Sequence, residues 1–303
     1  MKYIQWLGQW LEYYIKPSTK ERTYNKYARI AHNHISPMLG DRDMAELTAL
    51  ELQKFSVDLI NKGMAPNTVN GIISIIKCSL RRAESLGIVD KQYADSIARP
   101  KTKEKDVESL SRDEQRKIEQ YISENKEDNR FGIILSMYTG LRVGELLALK
   151  WSDVDFGKGI LTVNKSCHDS WKDGEYVKVI DSPKTDSSIR KIPIPKQLIS
   201  KLKELKRNAK GEYVIIGKTQ YGAQVRSYQR SFENLLNLLD IPHKGIHCLR
   251  HTFATRALEV GMDIKTLSEI LGHKSPTITL KRYAHSMTEH KAEMMNRVGK
   301  MLL

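Results

Sequence analysis

Gly245-Ile246-His247-Cys248-Leu249-Arg250-His251-Thr252-Phe253-Ala254-Thr255 is the stretch on which the reading of this chain turns, together with the run that follows it to Tyr283. The pattern reads as helix, turn, helix, turn, and it gathers His247, Arg250, His273 and Tyr283 into one short segment. His247 and Arg250 stand three apart. At about 3.6 residues per turn both side chains share one face of a helix N-terminus, where unpaired amides and the dipole favour an anion. Leu271-Gly272-His273 then closes a helix with glycine in the position a C-cap favours, and Tyr283 follows Arg282 in a second short helical run. Imidazoles, a guanidinium and a phenol beside a phosphate-shaped site suggest phosphoryl transfer.

Around this stretch, 303 residues leave room for two domains of ordinary size, each with its own core. No run of eighteen or more apolar residues occurs, so no membrane-spanning helix is expected. Met1-Lys2-Tyr3-Ile4-Gln5-Trp6 lacks the apolar core of a secretory signal. Cys78, Cys167 and Cys248 are odd in number and widely spaced. They fit neither a disulfide framework nor a paired metal motif, which suits a reducing cytoplasm. Fifty Lys and Arg against 36 Asp and Glu give a formal charge of +14. That excess suits a lysine-rich solvated surface or a nucleic-acid partner, and charge alone does not choose between them.

From the start of the chain, Trp6, Leu7, Trp10, Leu11 and Tyr14 recur at helical spacing until Pro17-Ser18. A second apolar face runs from Thr23 to His34 and is expected to end at Ser36-Pro37 and Gly40. Thr48 caps a third helix that stops at Asn61-Lys62-Gly63, and Pro66 opens a fourth that stops near Gly87. Four helices with short connections predict a small bundle with the aromatic side chains in its core. Lys20, Arg22, Lys26, Arg29, Lys77, Arg81 and Arg82 are the candidates for contacts to a DNA backbone. The domains are read as 1-100 (helical), 101-109 (a polar, charged linker) and 110-303 (catalytic).

In the second domain, Leu110-Ser111-Arg112-Asp113-Glu114 carries a capping box. Gly140 ends one helix, and Arg142 sits at the turn before the next, where its fork could grip a phosphate. Taken alone, Arg142 reads more readily as a partner of Glu145 that merely holds the helix end. Segments 159–163, 175–180 and 188–194 predict one three-stranded antiparallel sheet. Ser182-Pro183-Lys184-Thr185 then places Lys184 at a mobile hairpin tip, where a lysine is ordinarily just solvated. Two further helices are expected over 195–206 and 224–239.

Thr139-Gly140-Leu141-Arg142-Val143-Gly144-Glu145, Lys184, His247-x-x-Arg250, Leu271-Gly272-His273 and Tyr283 stand in the order and spacing of the tyrosine recombinase (phage integrase) family. This half of the chain resembles that family from about Leu110 onward. The first half is similar to its core-binding domain, notably in His34-Ile35-x-Pro37-x-Leu39-Gly40 and Gly63-x-x-Pro66-x-Thr68-Val69. Thr266-Leu267-Ser268-Glu269-Ile270-Leu271-Gly272-His273 and Arg282-Tyr283-Ala284-His285 resemble integrases of conjugative transposons and of Gram-positive phages. Many of these carry an arm-binding domain ahead of the core-binding one. Here that pattern starts close to Met1, so the chain is expected either to be short by nature or to lack that domain. Tyr93-Ala94-Asp95-Ser96 stands where an Asn-Pro is often found.

The resemblance implies a mainly α fold with a small antiparallel sheet (α+β), arranged as a two-domain C-shaped clamp with an N-terminal SAM-like bundle. It implies a site-specific recombinase that acts on double-stranded DNA without metal, ATP or other cofactor. Arg142 and Arg250 would bind the non-bridging phosphate oxygens, where guanidinium forks meet the charge that builds in the transition state. Tyr283 would be the nucleophile, His247 its base, and Lys184 the acid that protonates the leaving 5′-oxygen. His273 would hydrogen-bond the phosphate, and Glu145 would hold Arg142 or the helix end. The product would be a 3′-phosphotyrosyl link, exchanged through a Holliday junction by a homotetramer. Met294, Met295, Val298, Met301 and Leu302 mark a C-terminal helix (about 287–303), either passed to a neighbour or packed on its own domain. An accessory DNA-bending or excision factor and a cytoplasmic, nucleoid-associated location are expected. The alternatives are a chromosome-dimer-resolving recombinase, an inactive DNA-binding relative, and a type IB topoisomerase-like enzyme.

Overall fold

The computed structural model describes residues 1–89, 94–102, 108–125, 130–172, 174–181, 189–217, 222–283, 295–296 and 298–301. The chain divides into two compact units, Met1–Lys105 and Asp106–Leu303.

In the first unit, Tyr3, Trp6, Leu7 and Trp10 recur every three or four residues, so all four fall on the buried face of α1 (Tyr3–Trp10). The helix widens to π turns over Leu11–Ile15. Helix α2 (Glu21–Ile30) does the same over Ala31–Ile35 and runs directly into α3 (Ser36–Leu39). The expected stop at Ser36-Pro37 is instead a restart, because a proline in a first helical turn lacks an N–H that would be unpaired anyway. Thr48 caps α4 (Ala49–Asn61): its hydroxyl accepts from the Glu51 amide at 3.2 Å, and the Glu51 carboxylate accepts from the Thr48 amide at 3.1 Å. Helix α5 (Pro66–Ser85) lines the same core with Val69, Ile72, Ile73 and Ile76. The polar ends of Tyr3 and Trp6 are satisfied inside it. The Tyr3 hydroxyl bonds Ser79 Oγ at 2.7 Å, and Trp6 Nε1 donates to the Ser79 carbonyl at 3.0 Å. Tyr3, Trp6 and Trp10 are therefore core, as their spacing predicts, and Tyr14, Tyr24 and Tyr27 pack partly buried against it, while Tyr13 is exposed.

The second unit begins with α6 (Arg112–Asn125), whose Ser111 and Glu114 form the expected reciprocal cap. Helices α7 (Phe131–Thr139), α8 (Val143–Ala148), α9 (Lys196–Arg207), α10 (Val225–Leu238), α11 (His247–Glu259), α12 (Ile264–Leu271) and α13 (Pro276–Tyr283) follow. The strand reading needs correction. Strands β1 (Val154–Asp155), β2 (Ile160–Val163) and β5 (Arg190–Pro193) make one antiparallel sheet in the order β1-β2-β5. Strands β3 (Ser166–Lys172) and β4 (Glu175–Asp181) make a separate hairpin. The segment 175–180 thus pairs with a strand that the sequence reading did not find, and not with β2. Polar β3 gains its order from pairing: Cys167 is its one fully buried residue among those whose burial is described.

Candidate active site

Helices α7 and α12 both end on glycine in the left-handed region, Gly140 at φ 66° and Gly272 at φ 63°. A helix leaves its last carbonyls without intrahelical partners, and its dipole makes that end negative. Arginines fill these positions. Arg190 Nε donates to the Ile270 carbonyl at 2.5 Å, Arg250 Nη2 to Leu271 at 2.7 Å, and Arg142 Nη2 to Gly272 at 3.3 Å. Arg250 Nη1 also donates to the Gly140 carbonyl at 2.8 Å. The end of α12 therefore gathers three guanidinium groups from three separate elements.

Glu145 is the carboxylate that permits this crowding. Its side chain, 6% exposed, accepts from the Arg142 amide at 2.9 Å and Arg142 Nη1 at 2.7 Å. Arg190 adds Nη1 at 3.1 Å and Nη2 at 2.8 Å. Burial alone would raise its pKa, but the hydrogen bonds and charge of Arg190, with Arg142, hold it down to about 2. Among the described residues Arg250 makes no ion pair at contact distance and feels Glu145 only through its charge. Burial first, and Arg142 next, push it down to about 9, so it remains a cation at neutral pH.

The remaining groups stand around this cationic floor. His273 directly follows Gly272, and its Nδ1 lies 2.7 Å from the buried hydroxyl of Thr279 on α13. Tyr283 ends α13, 2% exposed, with its ring among Ala254, Ala257, Leu258, Leu267 and Leu271. Its hydroxyl lies 2.7 Å from Nδ1 of His251. His247 opens α11 as an exposed residue, and among the described residues its side chain makes no hydrogen bond. Ring desolvation and the arginines hold all three imidazoles neutral. His251 and His273 fall to about 4, each with Arg282 and Arg250 among the causes. His247 is lowered too, by desolvation and then by Arg250, Arg142 and Arg282. The Tyr283 phenol is raised by burial against the pull of Arg250 and Arg282.

Arg142, Glu145, His247, Arg250, His273 and Tyr283 thus come to one locality built on α8, α11, α12 and α13. Lys184 lies outside the described residues. So does most of the C-terminal segment 287–303, of which Met295, Val298 and Met301 are exposed. Two members of the locality escaped the sequence reading, Arg190 and His251. In the first unit the backbone candidates separate into two groups. Lys77 donates to the Ile97 carbonyl at 3.2 Å and Arg81 to Asp95 at 2.5 Å, while Lys20 is half-buried. Arg22, Lys26 and Arg29 form an exposed stripe at i, i+4, i+7 along α2. Arg82 lies over the Tyr14 ring at 4.5 Å.

Guanidiniums fixed on helix ends, neutral imidazoles and a buried phenol define an anion site with a tyrosine hydroxyl at its side. Comparison with known proteins gives the family. Residues 108–290 match the model of the phage integrase family, and residues 3–60 match its N-terminal SAM-like domain. The chain belongs to the phage integrase family, the tyrosine recombinases. A XerC-like tyrosine recombinase of Caldanaerobacter subterraneus is 28% identical, covering 97% of this chain and 82% of that protein. The ICEBs1 integrase of Bacillus subtilis is 25% identical, covering 94% and 79%. Among solved structures, the Tn1549 transposon integrase with circular intermediate DNA aligns at TM-score 0.82 and 23% identity, over 98% of this chain and 100% of that one. A lambda integrase tetramer on a Holliday junction aligns at TM-score 0.71 and 23% identity, over 91% and 79%.

Proposed function

We propose that this recombinase is the integrase of a mobile element, cutting and rejoining double-stranded DNA through a 3′-phosphotyrosyl intermediate. The observation that carries the reading is the arginine floor at the end of α12 with Tyr283 beside it. Arg142 and Arg250 bind the non-bridging oxygens of the scissile phosphate, their forks held in place by carbonyls and Glu145. His247, exposed at the start of α11, and His273, fixed by Thr279, hydrogen-bond the same phosphate. Tyr283 attacks phosphorus, and Lys184 protonates the 5′-oxygen as it leaves. The ester stores the bond energy, so a 5′-hydroxyl from a second duplex reseals the strand without ATP.

Two exchanges through a Holliday junction require four protomers, which supports a homotetramer on DNA of the kind lambda integrase forms. The exposed Met295, Val298 and Met301 support a C-terminal helix passed between protomers. An accessory factor that bends DNA or directs excision, and work in the cytoplasm at the nucleoid, complete the proposal. The likeness to a XerC-like recombinase over 97% of the chain supports a second reading, chromosome-dimer resolution. The DNA tells the two apart: element ends in one case, a chromosomal resolution site in the other.

The test is covalent trapping on a nicked duplex carrying the core site. Wild type should give a denaturation-resistant 3′-linked adduct that Tyr283→Phe abolishes. Tight binding with no adduct from the wild type would sink the proposal.

A further inference from the structure

The phenol of Tyr283 meets an imidazole, and it is not the one in the His-x-x-Arg motif. His251 stands one helical turn beyond His247 on α11, next to Arg250, and reaches across to the end of α13. Its Nδ1 lies 2.7 Å from the hydroxyl oxygen of Tyr283, with ring centroids 5.8 Å apart and planes at 59°. The contact is sheltered: Tyr283 is 2% exposed, and its ring is walled by Ala254, Leu258, Leu267 and Leu271. His247 opens the same helix as an exposed residue.

We infer that His251 is a catalytic residue, the acceptor of the Tyr283 phenolic proton during strand cleavage and its donor during rejoining. This rests on the proposed recombinase reaction. In cleavage the O–H bond of Tyr283 breaks and the proton passes to His251 Nδ1. An oxygen lone pair forms the bond to phosphorus. The phosphorus–O5′ bond breaks with its electron pair on the 5′-oxygen, which takes its proton from Lys184. In rejoining, the 5′-hydroxyl gives its proton to the neutral Lys184 as its oxygen bonds phosphorus, the bond from phosphorus to the Tyr283 oxygen breaks, and the imidazolium returns its proton to the departing phenolate. The role requires the tautomer with hydrogen on Nε2, so that Nδ1 is free to accept.

The surroundings fit such an acceptor. The groups acting on the ring are Arg282 from α13, and His247 and Arg250 from α11. Burial of the ring first, and then these groups, keep the imidazole neutral, while burial keeps the proton on Tyr283 against the pull of Arg250 and Arg282. A scissile phosphate seated between Arg142 and Arg250 offsets that positive charge and makes the imidazolium easier to form. The imidazole accepts a proton more readily with substrate in place than without it.

The experiment uses the full chain in single-turnover trapping on the nicked duplex, at saturating DNA, with duplex affinity measured alongside. Asn in place of His251 presents an acceptor oxygen near the Nδ1 position but takes no proton, whereas Gln at that position tests loss of the geometry as well. His251→Asn and His251→Gln should both slow adduct formation by about 10²- to 10⁴-fold, the range for general base catalysis. Affinity should stay within roughly twofold, since the ring faces the phenol and not the DNA. On a substrate with sulfur at the bridging 5′ position the leaving group needs no proton. Lys184→Ala should recover there and the His251 variants should not. Asn at wild-type rate would overturn the inference, leaving His251 with orientation alone. Both variants at wild-type rate would overturn it too, with the nucleophile still Tyr283. A wild-type chain that binds but never forms an adduct would overturn the inference and the recombinase reading together.

Discussion

Arg190 shows how a buried guanidinium holds other residues of the site in place. Its guanidinium and the Glu145 carboxylate are each 6% exposed and pair at 2.8 Å. Breaking a buried pair from one side strands the other charge, at about 3–5 kcal/mol. Arg190→Met should lower stability by that amount in urea unfolding, and a loss under about 1 kcal/mol would contradict the pairing. The alternation of β5 already carried the signal, since Arg190 and Ile192 share its buried face. A charge on such a face needs a partner, yet the partner sits 45 positions away, where pattern reading cannot find it. Arg142, Arg250 and Tyr283 stood out in the sequence because each sits in a short motif of its own. Acid should expose the same chemistry. Glu145 is ionised above its ordinary value near 4.5 in either state, but in the fold it stays ionised down to about 2. Its contribution, roughly 3 kcal/mol from that difference, is complete above pH 4.5 and lost as pH falls toward 2. His251 and His273 are lowered from 6.5 to about 4, so unfolded chains bind their protons first and stability also falls from pH 6.5 toward 4. Stability measured against pH should therefore decline in both windows, and Glu145→Gln should flatten only the lower one.

Elements, not only residues, hold the floor of the site, and two glycines at φ > 0 separate the effects. A Cβ on Gly140 would stand 2.6 Å from Phe253 Cδ1 and 2.8 Å from Leu271 Cδ2, whereas at Gly261 it meets nothing within 4 Å. Gly261→Ala should cost about 1–2 kcal/mol from left-handed backbone strain. Gly140→Ala should cost about 1–3 kcal/mol more from overpacking. It should also slow adduct formation, because the carbonyl it shifts anchors Arg250. Thermal unfolding of the two variants checks the order, and equal losses would refute the packing argument. Helices were legible at this scale because caps and periodicity are local: Thr48, Ser111, Gly140 and Gly272 all mark their ends as read. The β3–β4 hairpin was not. Its Asp173-Gly174 pair is a strong turn signal, but β3 is too polar to alternate, and only pairing with β4 makes it a strand.

Across the whole molecule, the charge of +14 has meaning only through its distribution. Lysines and arginines already committed to the protein release no counterions on binding: Lys77 and Arg81 are bound to Ile97 and Asp95, and Arg190 is buried. The sequence could count these cations but not sort them, because the sorting depends on acceptors distant in the chain. Arg22, Lys26 and Arg29 remain exposed along one face of α2, in a unit with its own core. Replacing all three with alanine should therefore weaken duplex binding alike on specific and unrelated DNA, since phosphate contacts carry no sequence code. Each phosphate contact contributes about 0.9 to the slope of log affinity against log salt. The triple variant should accordingly reduce the magnitude of that slope by about 2.7, while adduct formation at saturating DNA keeps its wild-type rate. Titrations across a salt series read both quantities. An unchanged slope would remove α2 from the DNA-facing surface, and a slowed chemical step at saturation would mean that the stripe acts on the site as well as on binding.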